Sequence, residues 1–399
     1  MTAQPALRVA PGAAAPAPAD VQVEVVVPVR DEERVLERSI RRLHAHLAAF
    51  PFSARIVIAD NASRDATPAI AARLAAELDG VSVRTLPEPG RGRALRSAWL
   101  AAEARVVAYM DVDLSTDLRA LLPLVAPLLS GHSDVAIGTR LAPSSHVVRG
   151  PKRELVSRAY NALLHATLRA RFSDAQCGFK ALRADAARSL LPDVRDDAWF
   201  FDTELLVLAQ RRGLRIHEVP VDWVDDPDSR VEIVPTALAD LRGIGRLVWS
   251  WPAMRFAAIG VASTLAYFVL FLALRAPVGS GWANGLALAI TAVANTQANR
   301  RITFGVSGRE GLARHQAQGF AVFLLTRGLS SAALWVLHRI DAAPPAGIEA
   351  AVLVLANLGA TISRYVAMRW WIFARGEDAP QPTAPAEGVK IAGCPPPRP

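Results

Sequence analysis

The hydrophobic positions divide the chain into two parts near Trp249. Before it, short runs of β-branched residues alternate with segments whose apolar side chains recur every three or four positions. The first run, Val23–Val29, is followed by Leu36, Ile40 and Leu43 on one face of a predicted helix. Strands that alternate with amphipathic helices predict a doubly wound α/β domain with a mostly parallel sheet.

The second part, from Ala253 to Phe373, is mostly apolar and contains very few acidic residues. A helix needs about 20 apolar residues to cross a hydrocarbon core of about 30 Å, so this part predicts an all-α four-helix transmembrane domain. The predicted spans are residues 253–274, 281–296, 317–337 and 348–368. The second span is the shortest of the four.

A predicted interfacial amphipathic helix, residues 233–252, joins the two parts. Leu238, Leu241 and Ile244 fall at helical spacing on one predicted apolar face, and Trp249 follows them. An apolar helical face next to tryptophan is typical of a segment that lies at a membrane–water boundary.

The two ends of the chain lack a hydrophobic pattern. Residues 1–20 are rich in Ala and Pro, and residues 376–399 are rich in Pro, so both are predicted to be disordered. This leaves residues 21–232 for the α/β domain and residues 253–375 for the transmembrane domain.

The net charge of +8 admits nucleic acid as a partner. The sequence has no zinc-ligand spacing and no aromatic-basic RNA signature, however, and many arginines flank the apolar stretches, so we expect membrane and no nucleic acid. Arg255, Arg300–Arg314 and Arg364–Arg375 mark one side of the membrane, and Arg275 and Arg339 the other. The positive-inside rule then predicts a multi-pass protein of the inner membrane with the α/β domain and both termini in the cytoplasm.

Two carboxylates one residue apart follow the apolar run Val106–Met110. Asp111 and Asp113 could hold a divalent cation that a diphosphate also needs, although Asp-x-Asp alone is common and also suits a strand end that opens a turn. Asp60 and Arg140 follow other predicted strands. Ligands of such sheets bind at the carboxyl ends of the strands, so the sequence predicts a site at this edge.

Five motifs in this order resemble family 2 glycosyltransferases, and within them the polyprenyl-phosphate (dolichyl-phosphate) glucose and mannose synthases. The motifs are Val26–Glu32, Asp60–Thr67, Gly90–Ala94, Asp111–Asp113 and Gly138–Arg140. The resemblance covers roughly residues 22–245. It implies a GT-A fold and a nucleotide-diphosphate sugar as donor.

The resemblance also implies roles for individual side chains. Those of the nucleotide site are Pro28, Arg30, Glu32, Asp60 and Asp111. Asp111 and Asp113 are implied to hold Mg²⁺ or Mn²⁺ on the diphosphate, since these ions prefer carboxylate oxygens. The chain departs from the common family pattern at Asn61, Arg91 and Ser115. The segment that contains Ser115 resembles the glucose synthases more than the mannose synthases. We therefore expect UDP-glucose before GDP-mannose.

A lipid phosphate as acceptor needs no general base, because its second pKa is about 6. It needs cations that position it and that stabilise the leaving diphosphate. The candidates for the acceptor phosphate are Arg140, Arg149, Lys152 and Arg153. The last three belong to a basic segment that would otherwise be an ordinary solvated turn.

The expected reaction is a single displacement with inversion. Asp113, Arg140 and Asp202 are the expected catalytic side chains, in a polyprenyl-phosphate hexosyltransferase that depends on a metal. Asp202 would orient the acceptor or the sugar, or else cap the helix that begins beside it. The processive acceptor motif is missing near Gln210, which argues against a polymer-extending enzyme.

The apolar part resembles the GtrA-like four-helix membrane family, through Asn295–Phe304 and Arg364–Phe373. Within it Ala298–Phe304 is similar to Ala367–Phe373, which suggests two repeated helix pairs. Polar residues in or near the spans pack against other helices or line a pathway. Those predicted here are Asn295, Asn299, Arg327 and Arg364. The resemblance implies that this domain anchors the synthase or moves polyprenyl-linked sugars across the membrane.

Two other functions agree with the same sequence. One is a polyprenyl-sugar transporter whose α/β domain is a regulatory sensor of sugar nucleotides. The other is a glycosyltransferase that acts on a hydroxyl acceptor. The sequence also leaves a homo-oligomer open.

Overall fold

A computed structural model describes residues 21–224, 233–306, 308, 311–341 and 346–372. One compact unit ends at Val248 and a second begins at Trp249. Each unit is described by itself. The predicted disordered segments 1–20 and 376–399 lie outside the described residues.

The first unit contains a seven-stranded sheet, a two-stranded sheet and eight helices in its described part. The strands are β1 Val23–Val29, β2 Ala54–Asn61, β3 Val81–Leu86, β4 Val106–Met110, β5 Val135–Thr139, β6 Val147–Val148, β7 Phe179–Arg183, β8 Ile216–Pro220 and β9 Trp223–Val224. The helices are α1 Leu36–Ala48, α2 Thr67–Glu77, α3 Arg91–Ala101, α4 Leu121–Leu129, α5 Pro151–Leu168, α6 Ala184–Leu190, α7 Phe201–Arg211 and α8 Ile233–Trp249.

The large sheet has the order β3-β2-β1-β4-β7-β5-β8. Strand β7 runs antiparallel to both of its neighbours, and the other pairs are parallel, which confirms the predicted mostly parallel sheet. Val29 pairs with Asp60, and Val26 pairs with Tyr109. The polar residues that follow β1, β2 and β4 therefore lie at the same edge. Apolar side chains cover both faces of the sheet in two core clusters.

Helix α8 packs on the first unit with one face and exposes the opposite one. Its buried residues are Asp240, Gly243, Ile244 and Leu247. A Cβ atom on Gly243 would overlap the ring of Phe200, so the helix lies directly against α7 and the residue before it. Leu238 and Leu241 are 52% and 53% exposed. They do not share a face with Ile244, in contrast to the sequence prediction, because the contact with the core is centred on the other side of the helix.

The second unit contains four long helices, one for each predicted span. They are α9 Pro252–Val278, α10 Ser280–Ala298, α11 Leu312–Ile340 and α12 Ala346–Ala367. Among the described residues, α9 alone is both long and apolar enough to cross a membrane. The predicted single helix 233–252 is instead interrupted after Trp249, and Pro252 begins the next helix, as proline often does.

Candidate active site

Asp111 and Asp113 lie in a tight turn directly after β4. The backbone N–H of Asp111 donates to the carbonyl of Gly178 over 3.2 Å. A Cβ atom on Gly178 would overlap the Asp111 carboxylate, so only glycine lets these two segments approach so closely. Asp113 accepts from the backbone N–H of Ser115 over 3.0 Å. These contacts fix the positions of both carboxylates.

The same edge of the sheet concentrates strained backbone. Asp31, Ala62 and Leu114 have φ angles of 56°, 58° and 51°, which non-glycine residues rarely adopt. Each of them lies within four positions after the last residue of β1, β2 or β4, respectively. Such strain is characteristic of functional sites, where the surrounding structure holds it in place.

A cleft of about 340 Å³ opens at the ends of β1, β2 and β3. Its lining residues are Arg30, Asp60, Ala62, Ser63, Arg64, Pro68, Thr85, Leu86, Pro87 and Pro89. Of the five predicted nucleotide-binding residues, Arg30 and Asp60 line it. Pro28 lies within β1, and the backbone N–H of Glu32 bonds the hydroxyl of Thr67 over 2.8 Å. Neither Pro28 nor Glu32 lines the cleft.

Asp111 and Asp113 together line a small crevice with Ser115, Thr116 and Trp223. Within the described ranges, no group of three or more His, Cys, Asp or Glu side chains is arranged to hold a metal ion. Two carboxylates nevertheless suit Mg²⁺ or Mn²⁺, because Mg²⁺ is commonly bound by one or two carboxylates together with the phosphates of a substrate. The carboxylate oxygens of Asp111 and Asp113 are therefore compatible with the predicted ion.

Arg91 connects Asp111 to Asp202. Its Nη2 atom lies 3.0 Å from Oδ1 of Asp111, and its Nη1 atom donates to Oδ2 of Asp202. The guanidinium contacts two aromatic rings, 4.9 Å from the centroid of Tyr109 and 5.2 Å from that of Trp199. Two charged contacts and two cation–π contacts hold it in one orientation.

Asp202 is 3% exposed and lies among cations. Lys180, which is completely buried, places its Nζ atom 3.2 Å from Oδ1 of Asp202, and the Tyr109 hydroxyl donates to the same oxygen over 2.5 Å. Burial would raise the pKa of Asp202, but Lys180 and Arg91 outweigh it and hold this pKa below its usual value. Burial raises the pKa of Tyr109 well above its usual value, so the hydroxyl keeps its proton.

The prediction that Asp202 caps its helix is wrong. Phe200 occupies the N-cap position of α7 and makes no side-chain cap bond. The Asp202 carboxylate points instead to Arg91, Tyr109 and Lys180, whose charges and hydroxyl satisfy it more strongly than a backbone amide would.

Residues 24–191 match the model of glycosyl transferase family 2, and residues 255–373 match the GtrA/DPMS transmembrane domain. The chain therefore joins a family 2 glycosyltransferase domain to a GtrA/DPMS domain. Both resemblances expected from the sequence are confirmed.

Several curated proteins are similar to the glycosyltransferase domain. Glycosyltransferase AglD of Haloferax volcanii is 41% identical over 244 residues, which are 60% of this chain and 38% of that protein. The match thus spans well under half of that relative. Dolichyl-phosphate beta-glucosyltransferase ALG5C of Trichomonas vaginalis is 28% identical over 54% of this chain and 68% of its own length. The human dolichyl-phosphate beta-glucosyltransferase is 26% identical over 58% of this chain and 72% of its own.

A solved structure of glucosyl-3-phosphoglycerate synthase from Mycobacterium tuberculosis, in complex with uridine diphosphate, is also similar. It is 24% identical, with a TM-score of 0.45, over 58% of this chain and 80% of that one.

In the glycosyltransferase domain, Arg140 forms a bidentate pair with Asp174. The Nε and Nη2 atoms lie 2.8 and 2.9 Å from the two carboxylate oxygens, and the backbone N–H of Arg140 adds a third bond over 3.1 Å. The guanidinium also lies over the ring of Trp223, at 4.9 Å. Arg140 does not line the crevice itself but contacts Trp223, which does, and its orientation is set by a fully buried carboxylate.

The predicted basic segment enters a helix: Arg149 precedes the N-cap residue Gly150, and Lys152 and Arg153 lie in the first turn of α5. Arg149 is paired with Glu154, and its side chain is only 5% exposed. Lys152 is exposed, and Arg153 is partly exposed. Of the acceptor-phosphate candidates, Lys152 is therefore the most accessible, whereas Arg149 and Arg140 already have carboxylate partners.

In the GtrA/DPMS domain, Asn295 connects three helices. Its amide donates to Ser263 of α9 over 2.7 Å, and its oxygen accepts from Arg364 of α12 over 2.6 Å. Asn299 donates to the same oxygen over 3.0 Å. Three of the four predicted polar residues thus form one network. The side chain of the fourth, Arg327, lies outside the described residues.

The repeated motif also has a repeated structure. Residues Asn299–Thr303 and Met368–Ile372 both form π-helical turns, one after α10 and the other after α12. π-helical segments are rare and often occur at functional sites. The sequence similarity of the two segments is therefore accompanied by the same unusual backbone conformation.

Sequence reasoning did not identify four residues of this site as functional: Arg91, Tyr109, Asp174 and Lys180. Lys180 was the strongest available signal, because a lysine within a short apolar strand must have a buried partner. The partner, Asp202, is 22 positions away, and no local pattern predicts that pairing.

Proposed function

We propose that the glycosyltransferase domain transfers a hexose, glucose in preference to mannose, from a nucleotide-diphosphate sugar to a polyprenyl phosphate. The reaction takes place at the cytoplasmic face of the membrane and inverts the anomeric carbon. The observation that carries the proposal is the position of Asp111 and Asp113, beside a cleft at the carboxyl edge of the sheet. The dolichyl-phosphate beta-glucosyltransferases among the relatives support a lipid phosphate as acceptor and glucose as the sugar.

On the donor side, the cleft receives the nucleoside, with Arg30 and Asp60 as polar contacts. Asp111 and Asp113 would hold Mg²⁺ or Mn²⁺, which supplies charge stabilisation for the departing diphosphate. Gly178 packs directly against the Asp111 carboxylate, so this carboxylate does not need to reorganise when the sugar donor binds. UDP-glucose is the preferred donor and GDP-mannose the second.

On the acceptor side, the phosphate oxygen is already an anion and attacks the anomeric carbon without a base. Arg140 positions that phosphate with the edge of its guanidinium that Asp174 leaves free, and Lys152 and Arg153 attract it from the first turn of α5. Asp202 is 3% exposed, so it acts by orienting Arg91 and Lys180 rather than by touching the sugar.

Helix α8 then lies on the membrane surface. Leu238, Leu241 and Trp249 form an exposed apolar stripe that also carries Arg242, opposite the face that packs on the core. The apolar helix α9 begins three residues after α8 ends. The GtrA/DPMS domain spans the membrane several times, anchors the enzyme and takes part in moving the lipid-linked sugar across.

The test is transfer in vitro with the full-length protein in detergent. We expect labelled UDP-glucose to label a polyprenyl phosphate in the presence of Mg²⁺ or Mn²⁺, and not with a chelator. Asp113→Asn should reduce this transfer at least about 100-fold, since it removes a carboxylate beside the leaving group. Asp117→Asn is the matched control, because Asp117 pairs with exposed Arg119 and does not line the crevice.

Three outcomes would contradict the proposal. If Asp113→Asn transferred the sugar at nearly the wild-type rate, Asp113 would not be a ligand of an essential metal ion. Label on a hydroxyl acceptor instead of the lipid phosphate would change the acceptor. No transfer from any UDP- or GDP-sugar by folded protein would favour the transporter with a regulatory α/β domain.

A further inference from the structure

Arg91 already forms an ion pair with Asp111, one of the two carboxylates proposed to hold a divalent cation. The guanidinium lies 3.0 Å from Oδ1 of Asp111 and is held from behind by Asp202. Its side chain is 11% exposed, whereas that of Asp111 is 32% exposed. In the free protein, the partly exposed carboxylate of Asp111 is therefore neutralised by Arg91, which Asp202 holds in place.

We propose that Arg91 is a positioning residue that prevents tight binding of a divalent cation to the free enzyme, so that the metal ion binds together with the nucleotide diphosphate. This inference rests on the proposed function, because it takes Asp111 and Asp113 as the metal ligands.

The local charge supports this order of binding. The cations Arg91 and Lys180 and the carboxylates Asp111, Asp113 and Asp202 together carry one net negative charge. A divalent ion held by Asp111 and Asp113 alone would make the cluster positive, while Asp202 and the two aromatic contacts hold the Arg91 guanidinium in place. A diphosphate that arrives with the ion restores a negative balance.

Arginine is required for this effect. Its planar group reaches Asp111 and Asp202 with different nitrogen atoms while it also makes cation–π contacts with Tyr109 and Trp199. A lysine has a single ammonium group and cannot make all of these contacts at once. The identity of the side chain at position 91 therefore matters for metal binding.

The test is Mn²⁺ binding by electron paramagnetic resonance, with and without UDP, on the full-length protein. For the wild type we expect Mn²⁺ to bind at least about tenfold more tightly with UDP than without it. Arg91→Gln should bind Mn²⁺ alone about tenfold more tightly than the wild type does, because the cluster then carries two net negative charges. The ratio between the Mn²⁺ affinities with and without UDP should shrink by the same factor in this variant, as linkage requires.

Two further variants keep the test decisive. Arg93→Gln makes the same change on the same helix, but Arg93 pairs with Glu88 and Asp197, so Mn²⁺ binding should be unchanged. Arg91→Lys preserves the positive charge and serves if Arg91→Gln does not fold. It should tighten Mn²⁺ binding about threefold, because one ammonium group neutralises Asp111 less completely.

The outcomes separate this inference from the proposed function. If Mn²⁺ binds with UDP, but Arg91→Gln and the wild type have equal affinities for Mn²⁺ alone, the inference is wrong and the metal role remains. If no protein binds Mn²⁺ even with UDP, both are wrong. Tighter Mn²⁺ binding in Arg93→Gln as well would overturn the inference by showing that any lost arginine has the same effect.

Discussion

The two units of this chain bury positive charge in different ways. In the glycosyltransferase domain, Arg91 and Lys180 lie against the carboxylates of Asp111 and Asp202. In the GtrA/DPMS domain, Arg364 donates to the neutral oxygen of Asn295. Acidic residues are very rare between positions 253 and 373, so few carboxylates are available there to neutralise an arginine.

This difference suggests different demands on the two units. Paired charges have strict geometry, and they suit a site that must hold two carboxylates in fixed positions before the donor arrives. Hydrogen bonds between an arginine and an amide join helices without cancelling the positive charge. A positive charge that is not cancelled can still attract the phosphate of a lipid, which agrees with the proposed role of this domain.

The largest effect should follow from breaking the paired charges. Asp202→Ala leaves Lys180 and Arg91 buried without their common carboxylate, and removing one partner of a buried pair costs about 3–5 kcal/mol. We expect the free energy of unfolding of the glycosyltransferase domain to fall by that amount in chemical denaturation.

The control is Glu88→Ala. Glu88 pairs with Arg93, but its side chain is 71% exposed, so its removal should change the free energy by less than about 1 kcal/mol. If Asp202→Ala and Glu88→Ala lowered the free energy of unfolding equally, burial would not make the ion pairs of Asp202 stronger than that of Glu88.

The order of strands and helices up to β4 could be predicted from the sequence because local patterns determine it. Val23–Val29 is apolar except for Glu24, and Asp111 directly follows the apolar run Val106–Met110. Each of these signals is contained within a few neighbouring residues. The carboxyl edge as the place of the site follows from the parallel connections alone.

The rest depends on contacts between distant parts of the chain. Strand β7 is only five residues long, and the buried Lys180 interrupts its apolar residues, so it was not predicted. The pairs Arg140–Asp174 and Arg91–Asp202 join residues 34 and 111 positions apart. The division of α8 into a buried face and an exposed face depends on which side the core contacts, and hydrophobic spacing does not determine that side.

A smaller effect should come from Asp240, a buried acid of the first unit that has no salt bridge to any residue of the described ranges. Burial raises its pKa from 3.8 to about 7, with a further contribution from Asp196, and Gln176 donates to it over 3.1 Å. The folded protein therefore binds this proton more tightly than the unfolded chain does. Stability should fall as the pH rises from about 4 to about 7 and then level off.

Asp240→Asn removes this pH dependence and still offers Gln176 an acceptor oxygen. We expect it to stabilise the protein by about 2 kcal/mol above pH 7 and to have little effect near pH 4. Thermal unfolding of both proteins between pH 4.5 and 8 would measure this. A gain that is the same at every pH would contradict the role of proton binding.

The smallest effect should come from the neutral network of the GtrA/DPMS domain. Asn295→Ala removes the bonds to Ser263 and Arg364 that join α10 to α9 and α12. Side-chain hydrogen bonds between membrane helices contribute about 0.6 kcal/mol on average, so the expected loss is about 1 kcal/mol. Thr264→Ala is the control, because its hydroxyl donates to the Gly260 carbonyl of its own helix over 3.0 Å and joins no second helix in the described part of the chain. A loss as large as that of Asp202→Ala would show that Asn295 is as essential to its unit as the ion pairs are to theirs, and would remove the contrast between the two units.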